Sequence, residues 1–78
     1  MKVTVVCFGA MRDYLPDPSS GRAQVEIESG GTVRDVVGAL GAPEHLVHSA
    51  LVDGRRVELE EGVADGAEVT LMPPFAGG

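Results

Sequence analysis

Thr32-Val33-Arg34-Asp35-Val36-Val37-Gly38-Ala39-Leu40 is the stretch that most constrains what this chain can fold into. Val33, Val36, Val37 and Leu40 recur at i, i+3, i+4 and i+7, which puts one apolar stripe along a helix. Thr32 is a favourable amino-terminal cap, and Asp35 three residues on gives a shortened capping box. Asp35 also sits at the positive end of the helix dipole. Gly41 closes the helix and Pro43 forbids its continuation. Gly38 inside it costs about 1 kcal/mol relative to Ala. A close approach of the helix to a sheet is the expected reason for that glycine. The flanking segments read mainly as strands, so this one helix must cover one sheet in an α+β layer arrangement.

The strands are marked by β-branched residues and alternation. Lys2–Phe8 is the first, with Val3, Val5 and Cys7 on one face and Thr4, Val6 and Phe8 on the other. Gly9–Leu15 reads as a short helix ended by Pro16 and Pro18, followed by a loop over Asp17–Gly21. Arg22–Glu28 alternates cleanly, with Ala23, Val25 and Ile27 inward and Gln24, Glu26 and Glu28 in water. It is expected to be an edge strand guarded by its carboxylates. Ser29-Gly30-Gly31 is a turn. Ser49–Val52 and Arg56–Leu59 flank Asp53-Gly54, a strong hairpin signal. Val63 and Ala64 tuck in before a turn at Asp65-Gly66, and Ala67–Met72 forms the final strand. The first and last strands are the most apolar and are expected to lie centrally in the sheet.

A chain of 78 residues allows one domain. Its only cysteine, Cys7, excludes an intrachain disulfide and cysteine-rich metal sites, and points to a reducing, cytoplasmic setting. Cys7 reads as a small core hydrophobe, because nothing local activates a thiol. His45 and His48 are three apart and could share a helical face, but without a third ligand they read as surface residues, so no metal is expected. Neither a signal peptide nor a membrane-spanning run is expected from the sequence. A net charge of −6 argues against nucleic acid, whose binding rests on Lys and Arg, and suits docking on a basic partner surface.

The other informative stretch is Leu71-Met72-Pro73-Pro74-Phe75-Ala76-Gly77-Gly78. Pro73 and Pro74 cannot donate to a ladder, so the strand ends near Met72 and leaves in a stiff, extended conformation. Gly77 and Gly78 make a thin end whose carboxylate can enter a narrow pocket, the alternative being an ordinary disordered terminus. The division is therefore a domain over 1–72 and a tail over 73–78.

Asp65-Gly66-x-Glu68-Val69 leading into Pro73-Pro74-Phe75-Ala76-Gly77-Gly78 resembles the MoaD/ThiS family of ubiquitin-like sulfur carriers. The Thr32-Val33 helix start and the Val52-Asp53-Gly54 turn match at corresponding spacings, and the resemblance covers essentially the whole chain. The double proline is closer to the small subunit of molybdopterin synthase than to the thiamine-pathway carrier. Asp53 stands where asparagine is more usual, and the proline-rich loop after the first helix also departs from the pattern.

The resemblance implies a β-grasp fold, a mixed sheet of four to five strands packed on one main helix. It implies that an adenylating enzyme of the ubiquitin-activating type uses ATP to activate the Gly78 carboxylate. A sulfur donor protein then converts the adenylate to a thiocarboxylate, a 1-thioglycine. It implies a large-subunit partner of the MoaE type that carries the catalytic side chains, while this chain binds no cofactor of its own. Gly78 and Gly77 would carry the chemistry, and Phe75, Ala76, Pro74, Met72 and Phe8 would meet the partner, with Val6 extending the patch; burial of Val6 and Phe8 under the loops is the alternative. The competing expectations are a carrier for thiamine, cysteine or another metabolite, and a protein modifier or binding module that makes no use of tail chemistry. A self-contained enzyme lacks support, since no nucleophile–base pair or phosphate-binding loop is present and Asp65 and Glu68 read as a turn and a solvated strand face.

Overall fold

The computed structural model describes residues 1–74. Five strands, β1 (Lys2–Cys7), β2 (Arg22–Glu26), β3 (Ser49–Val52), β4 (Arg55–Val57) and β5 (Glu68–Met72), form one sheet in the order β2-β1-β5-β3-β4. β1 and β5 run parallel at its centre, and the other pairings are antiparallel. The helix α1 (Val33–Leu40) covers one face. This is the expected α+β, mixed five-stranded sheet on one main helix, with the first and last strands central and β2 at an edge.

Strand alternation sets the core. Val3, Val5 and Cys7 of β1, Ala50 and Val52 of β3, and Val69 and Leu71 of β5 are buried against Val33, Val36 and Val37 of α1. Their even or odd neighbours, Thr4, Val6, Leu51 and Thr70, lie on the opposite, open face and are half-buried. Ala23, Val25 and Ile27 point toward the helix side as expected, but are only half-buried because β2 is an edge. β2 stops at Glu26, short of the expected Glu28, and Ile27 instead donates its N–H to Met1. β4 begins one residue earlier and ends two residues earlier than expected, covering Arg55–Val57 instead of 56–59.

The capping box forms. The Asp35 N–H donates to Thr32 Oγ1 at 3.4 Å, and the Thr32 N–H donates to Asp35 Oδ2 at 2.9 Å. The next free donors of the helix are met by the chain after β4, with Val33 N–H reaching Glu61 O and Arg34 N–H reaching Leu59 O. Arg34 also spans Glu44 and Glu60 at 3.0 Å each, and its hydrogen bond holds Glu60 below the usual carboxylate range.

Several expectations are corrected. Gly38 is exposed, and a Cβ built there meets nothing within 4 Å, so no close approach to the sheet explains it. The crowded glycine is Gly31, where a Cβ would stand 2.9 Å from Ile27 Cδ1 and 3.0 Å from Glu28 O. The short helix expected over Gly9–Leu15 is present as a 3-10 helix, Gly9–Tyr14, and a second 3-10 turn, Pro18–Ser20, occupies the expected loop with Pro18 as its first residue. His45 lies in the 3-10 segment Glu44–Leu46 while His48 lies beyond it, so the pair shares no helical face. Val63 tucks in, whereas Ala64 stays exposed.

Candidate functional site

The end of β5 meets the end of β1 where both leave the sheet. Phe8 N–H donates to Leu71 O at 3.2 Å, which extends the parallel pairing past Cys7. Alternation then turns the Phe8 and Met72 side chains to the open side, opposite Cys7 and Leu71. Phe8 is 51% exposed, the one large hydrophobic residue left in water among the described residues. Such exposure of a lone residue is unremarkable, but here it belongs to a continuous apolar wall.

That wall is a groove of about 470 Å³ lined by Phe8, Gly9, Ala10, Leu46, Met72, Pro73 and Pro74. None of these residues ionises, so the groove recognises shape and apolar surface. Gly9 is what lets it close at the β5 end. Its φ is +54°, a region unfavourable to other residues, and a Cβ there would lie 3.0 Å from Pro73 Cγ. Leu46 arrives from the short 3-10 segment after α1, tied by the Leu46 N–H to Pro43 O bond.

The groove brings together Phe8, Met72 and Pro74, three of the residues expected to meet a partner. Val6 does not join it. It lies half-buried on the open face, opposite Thr70 on β5 and Arg22 on β2. The remaining expected site residues, Phe75, Ala76, Gly77 and Gly78, lie outside the described residues, as does most of the tail over 73–78. Gly9, Ala10 and Leu46 escaped the sequence reading. Only the glycine carried a signal, as the residue immediately after a strand at the point where the chain must turn.

The Asp65-Gly66-x-Glu68 motif has a structural use. Asp65 Oδ1 accepts the Lys2 N–H at 2.8 Å and Gly66 N–H donates to Lys2 O at 2.8 Å, which locks the start of β1 beside the entry to β5. Asp53, with φ of 50°, and Gly54 form the two-residue turn between β3 and β4. The Asp53 side chain accepts the Glu68 N–H at 3.0 Å, and the Asp53 N–H donates to Glu68 O at 2.9 Å. The Asp65 and Glu68 carboxylates are thus occupied with backbone anchoring and a loose surface pair to Arg22 at 3.7 Å, respectively.

Cys7 is buried, and burial pushes its thiol pKa up, the opposite of what a nucleophile needs. Among the described residues, no group of three or more His, Cys, Asp or Glu is arranged to hold a metal ion. Nor is any helix among them long and apolar enough to cross a membrane.

Solved structures share this fold over essentially the full chain. SAMP1 from Haloferax volcanii superposes with a TM-score of 0.79 at 23% identity, covering 100% of both chains. A putative molybdopterin converting factor, subunit 1, from Pyrococcus furiosus gives 0.72 at 22% identity, covering 96% of this chain and 99% of that one. A complex of subunits 1 and 2 of the molybdopterin-converting factor from Helicobacter pylori 26695 gives 0.62 at 20% identity, with 100% of both chains covered. No curated protein sequence matches the chain. A family profile described as Mut7-C ubiquitin matches residues 1–77. The ubiquitin-like β-grasp expected from the MoaD/ThiS resemblance is therefore borne out, and the chain belongs to the Mut7-C ubiquitin family.

Proposed function

We propose that this protein is a sulfur carrier whose carboxy-terminal glycine, Gly78, is converted to a thiocarboxylate that donates sulfur in molybdopterin biosynthesis. The observation that carries the reading is the apolar groove at the end of β1 and β5, from which Pro73-Pro74 leads in sequence to Phe75-Ala76-Gly77-Gly78. Residues 1–72 act as the body and 73–78 as the delivering tail, in a cytoplasmic setting.

The chemistry follows from the carboxylate. It is a poor electrophile until it bears a good leaving group. Attack of the Gly78 carboxylate on the α-phosphorus of ATP, in an adenylating partner, forms an acyl adenylate and expels pyrophosphate. A persulfide sulfur from a donor protein then attacks the acyl carbon and AMP leaves. Reductive cleavage of the resulting acyl disulfide by a thiol leaves the thiocarboxylate. Glycine at both final positions removes side chains that would obstruct this attack and the threading of the tail. Phe8, Met72 and Pro74, with Phe75 and Ala76, supply the apolar anchor on a large-subunit partner. A complex of two molybdopterin-converting-factor subunits exists on this same fold in Helicobacter pylori, which supports a partner of that kind.

The test is the intact mass of the protein after incubation with ATP, a sulfur source and the cognate activating enzyme. Exchange of one oxygen for sulfur, abolished by deleting Gly78, is the expected result. An unchanged mass with an activating enzyme shown to be active on ATP overturns the carrier reading. A second reading, a protein modifier, is favoured by the likeness to SAMP1. It predicts a Gly78 isopeptide bond to a target lysine in place of a released sulfur. Carriage of sulfur for thiamine, cysteine or another metabolite predicts the same thiocarboxylate with a different acceptor.

A further inference from the structure

The free edge of β2 has a property that the tail chemistry does not use. The register of β1 with β2 pairs Val3 with Val25 and Val5 with Ala23. The flanking bonds, Cys7 N–H to Gly21 O and Ile27 N–H to Met1 O, show that the odd-numbered residues of β2 exchange hydrogen bonds with β1. In an antiparallel pair the alternate residues must then aim their backbone groups away. Arg22, Gln24 and Glu26 therefore point their N–H and C=O groups outward from the sheet. Those of Gln24 and Glu26 meet no hydrogen-bond partner among the described residues. Those of Arg22 are covered by the Ser20 hydroxyl, which accepts the Arg22 N–H at 3.3 Å and donates to Arg22 O at 2.8 Å.

Natural sheets usually blunt such an edge with like charges that repel a second strand. This one carries a self-complementary set instead. If two copies of β2 lie antiparallel about a two-fold axis through Gln24, Gln24 faces Gln24, and Arg22 of each copy faces Glu26 of the other. All of these are outward-pointing residues, so this register makes them hydrogen-bonded pairs once the Ser20 hydroxyl turns away from the Arg22 backbone. The alternate residues, Ala23 and Val25, then face each other on the helix side. There, a cleft of about 320 Å³ lined by Tyr14, Pro16, Val25, Leu40 and others runs beside the edge. A one-residue slip would put these apolar side chains in water and misalign the charges.

We propose that β2 is a homodimerisation edge, on which a second copy of this chain adds antiparallel through Arg22–Glu26 to form one continuous sheet. The pairing is isologous and closes at two copies. The neighbouring charges are compatible with it. The Glu26 side chain lies beside Lys2 of β1, and the Arg22 guanidinium makes a 3.7 Å pair with the exposed Glu68, so both side chains keep hydrogen-bonding capacity toward a second copy. The groove at the end of β1 and β5 takes no residue from β2, so both copies keep it open. The proposal is independent of the sulfur-carrier reading.

The test is sedimentation equilibrium of the whole chain over a wide concentration range, with charge-reversal variants. The wild type is expected to show a monomer–dimer equilibrium. Arg22→Glu and Glu26→Arg each replace two attractive pairs with two repulsive ones and weaken the dimer about tenfold or more. Mixed in equal amounts, the two variants restore it as a heterodimer, because every Arg22–Glu26 position is again opposite in sign. A wild type that stays monomeric to millimolar concentration overturns the proposal. So does assembly beyond the dimer, or a dimer indifferent to both reversals. Circular dichroism establishes that each variant is folded. Amide hydrogen exchange of the wild type needs no variant, and protection of the Gln24 and Glu26 amides must rise with concentration if the edge is paired.

Discussion

Leu71 and Met72 are neighbours in β5 with opposite assignments, and truncating each to Ala separates them. Leu71 is 0% exposed, at the centre of the core between β1 and β3. Its removal forfeits the transfer free energy of three methyl(ene) equivalents and leaves a cavity, together about 3 kcal/mol. A domain of this size has roughly 4–12 kcal/mol in total. With a urea slope of about 1 kcal/mol per molar, the unfolding midpoint of Leu71→Ala falls by about 3 M. Met72 is half-buried, on the open side and in the groove. Its truncation costs about 1 kcal/mol or less, moving the midpoint by about 1 M at most. Met72→Ala should instead weaken binding to a large-subunit partner by about tenfold, read by calorimetric titration. Urea unfolding followed by circular dichroism measures the first effect. Equal destabilisation by the two substitutions would refute the assignment of faces on β5, and with it the placement of the groove.

Three further outcomes are expected. Thr32→Ala removes the acceptor for the Asp35 N–H and should cost about 1 kcal/mol in urea unfolding, and Asp35→Ala added to it should cost less than the sum of the two alone, because they share one capping box. Gly38→Ala should raise stability by up to about 1 kcal/mol, since the helical position is exposed and the added methyl meets open space; a lower thermal midpoint contradicts this. Cys7 should resist alkylation in the native state. Its folded thiol ionises above the ordinary value of 9.0, so from about that pH upward the unfolded chain gives up a proton that the folded one keeps, and stability falls with rising pH until the folded thiol also ionises. A Cys7→Ala or Cys7→Ser variant should lose that part of the alkaline slope.

The strands and the helix were legible because each carries a local signal. Val3, Val5 and Cys7 share one face of a β-branched run, and Thr32 and Asp35 announce the helix start. The Asp53-Gly54 and Asp65-Gly66 turns likewise follow from residues that accept a positive φ or bind backbone with a short side chain. What stayed hidden depends on distance along the chain. Leu46 has no feature marking it as a groove wall, since its role comes from where the segment after α1 lands, next to Phe8 and Met72. Gly38 looked like a close-contact glycine because that is the commonest use of one in a helix, and only the packing reveals that its Cβ position is empty. The 3-10 geometry of Gly9–Tyr14 was missed because apolar spacing alone does not distinguish a tight turn from an α-turn. The groove is thus partly legible: Phe8, Met72, Pro73 and Pro74 came from strand alternation and the prolines at the strand end, while Gly9, Ala10 and Leu46 came from tertiary placement.

The strand order has a consequence for synthesis. β1 pairs with β2, and β3 pairs with β4, but the two hairpins touch in the sheet only through β5. Without β5 the sheet is two separate two-stranded ribbons, each marginal in water. β5 is also the last of these five strands to leave the ribosome. A nascent chain lacking Glu68–Met72 therefore cannot complete the domain, whatever the state of its helix. On the carrier reading proposed above, an activating enzyme that reads the intact fold screens out truncated or misfolded copies before any ATP is spent on them.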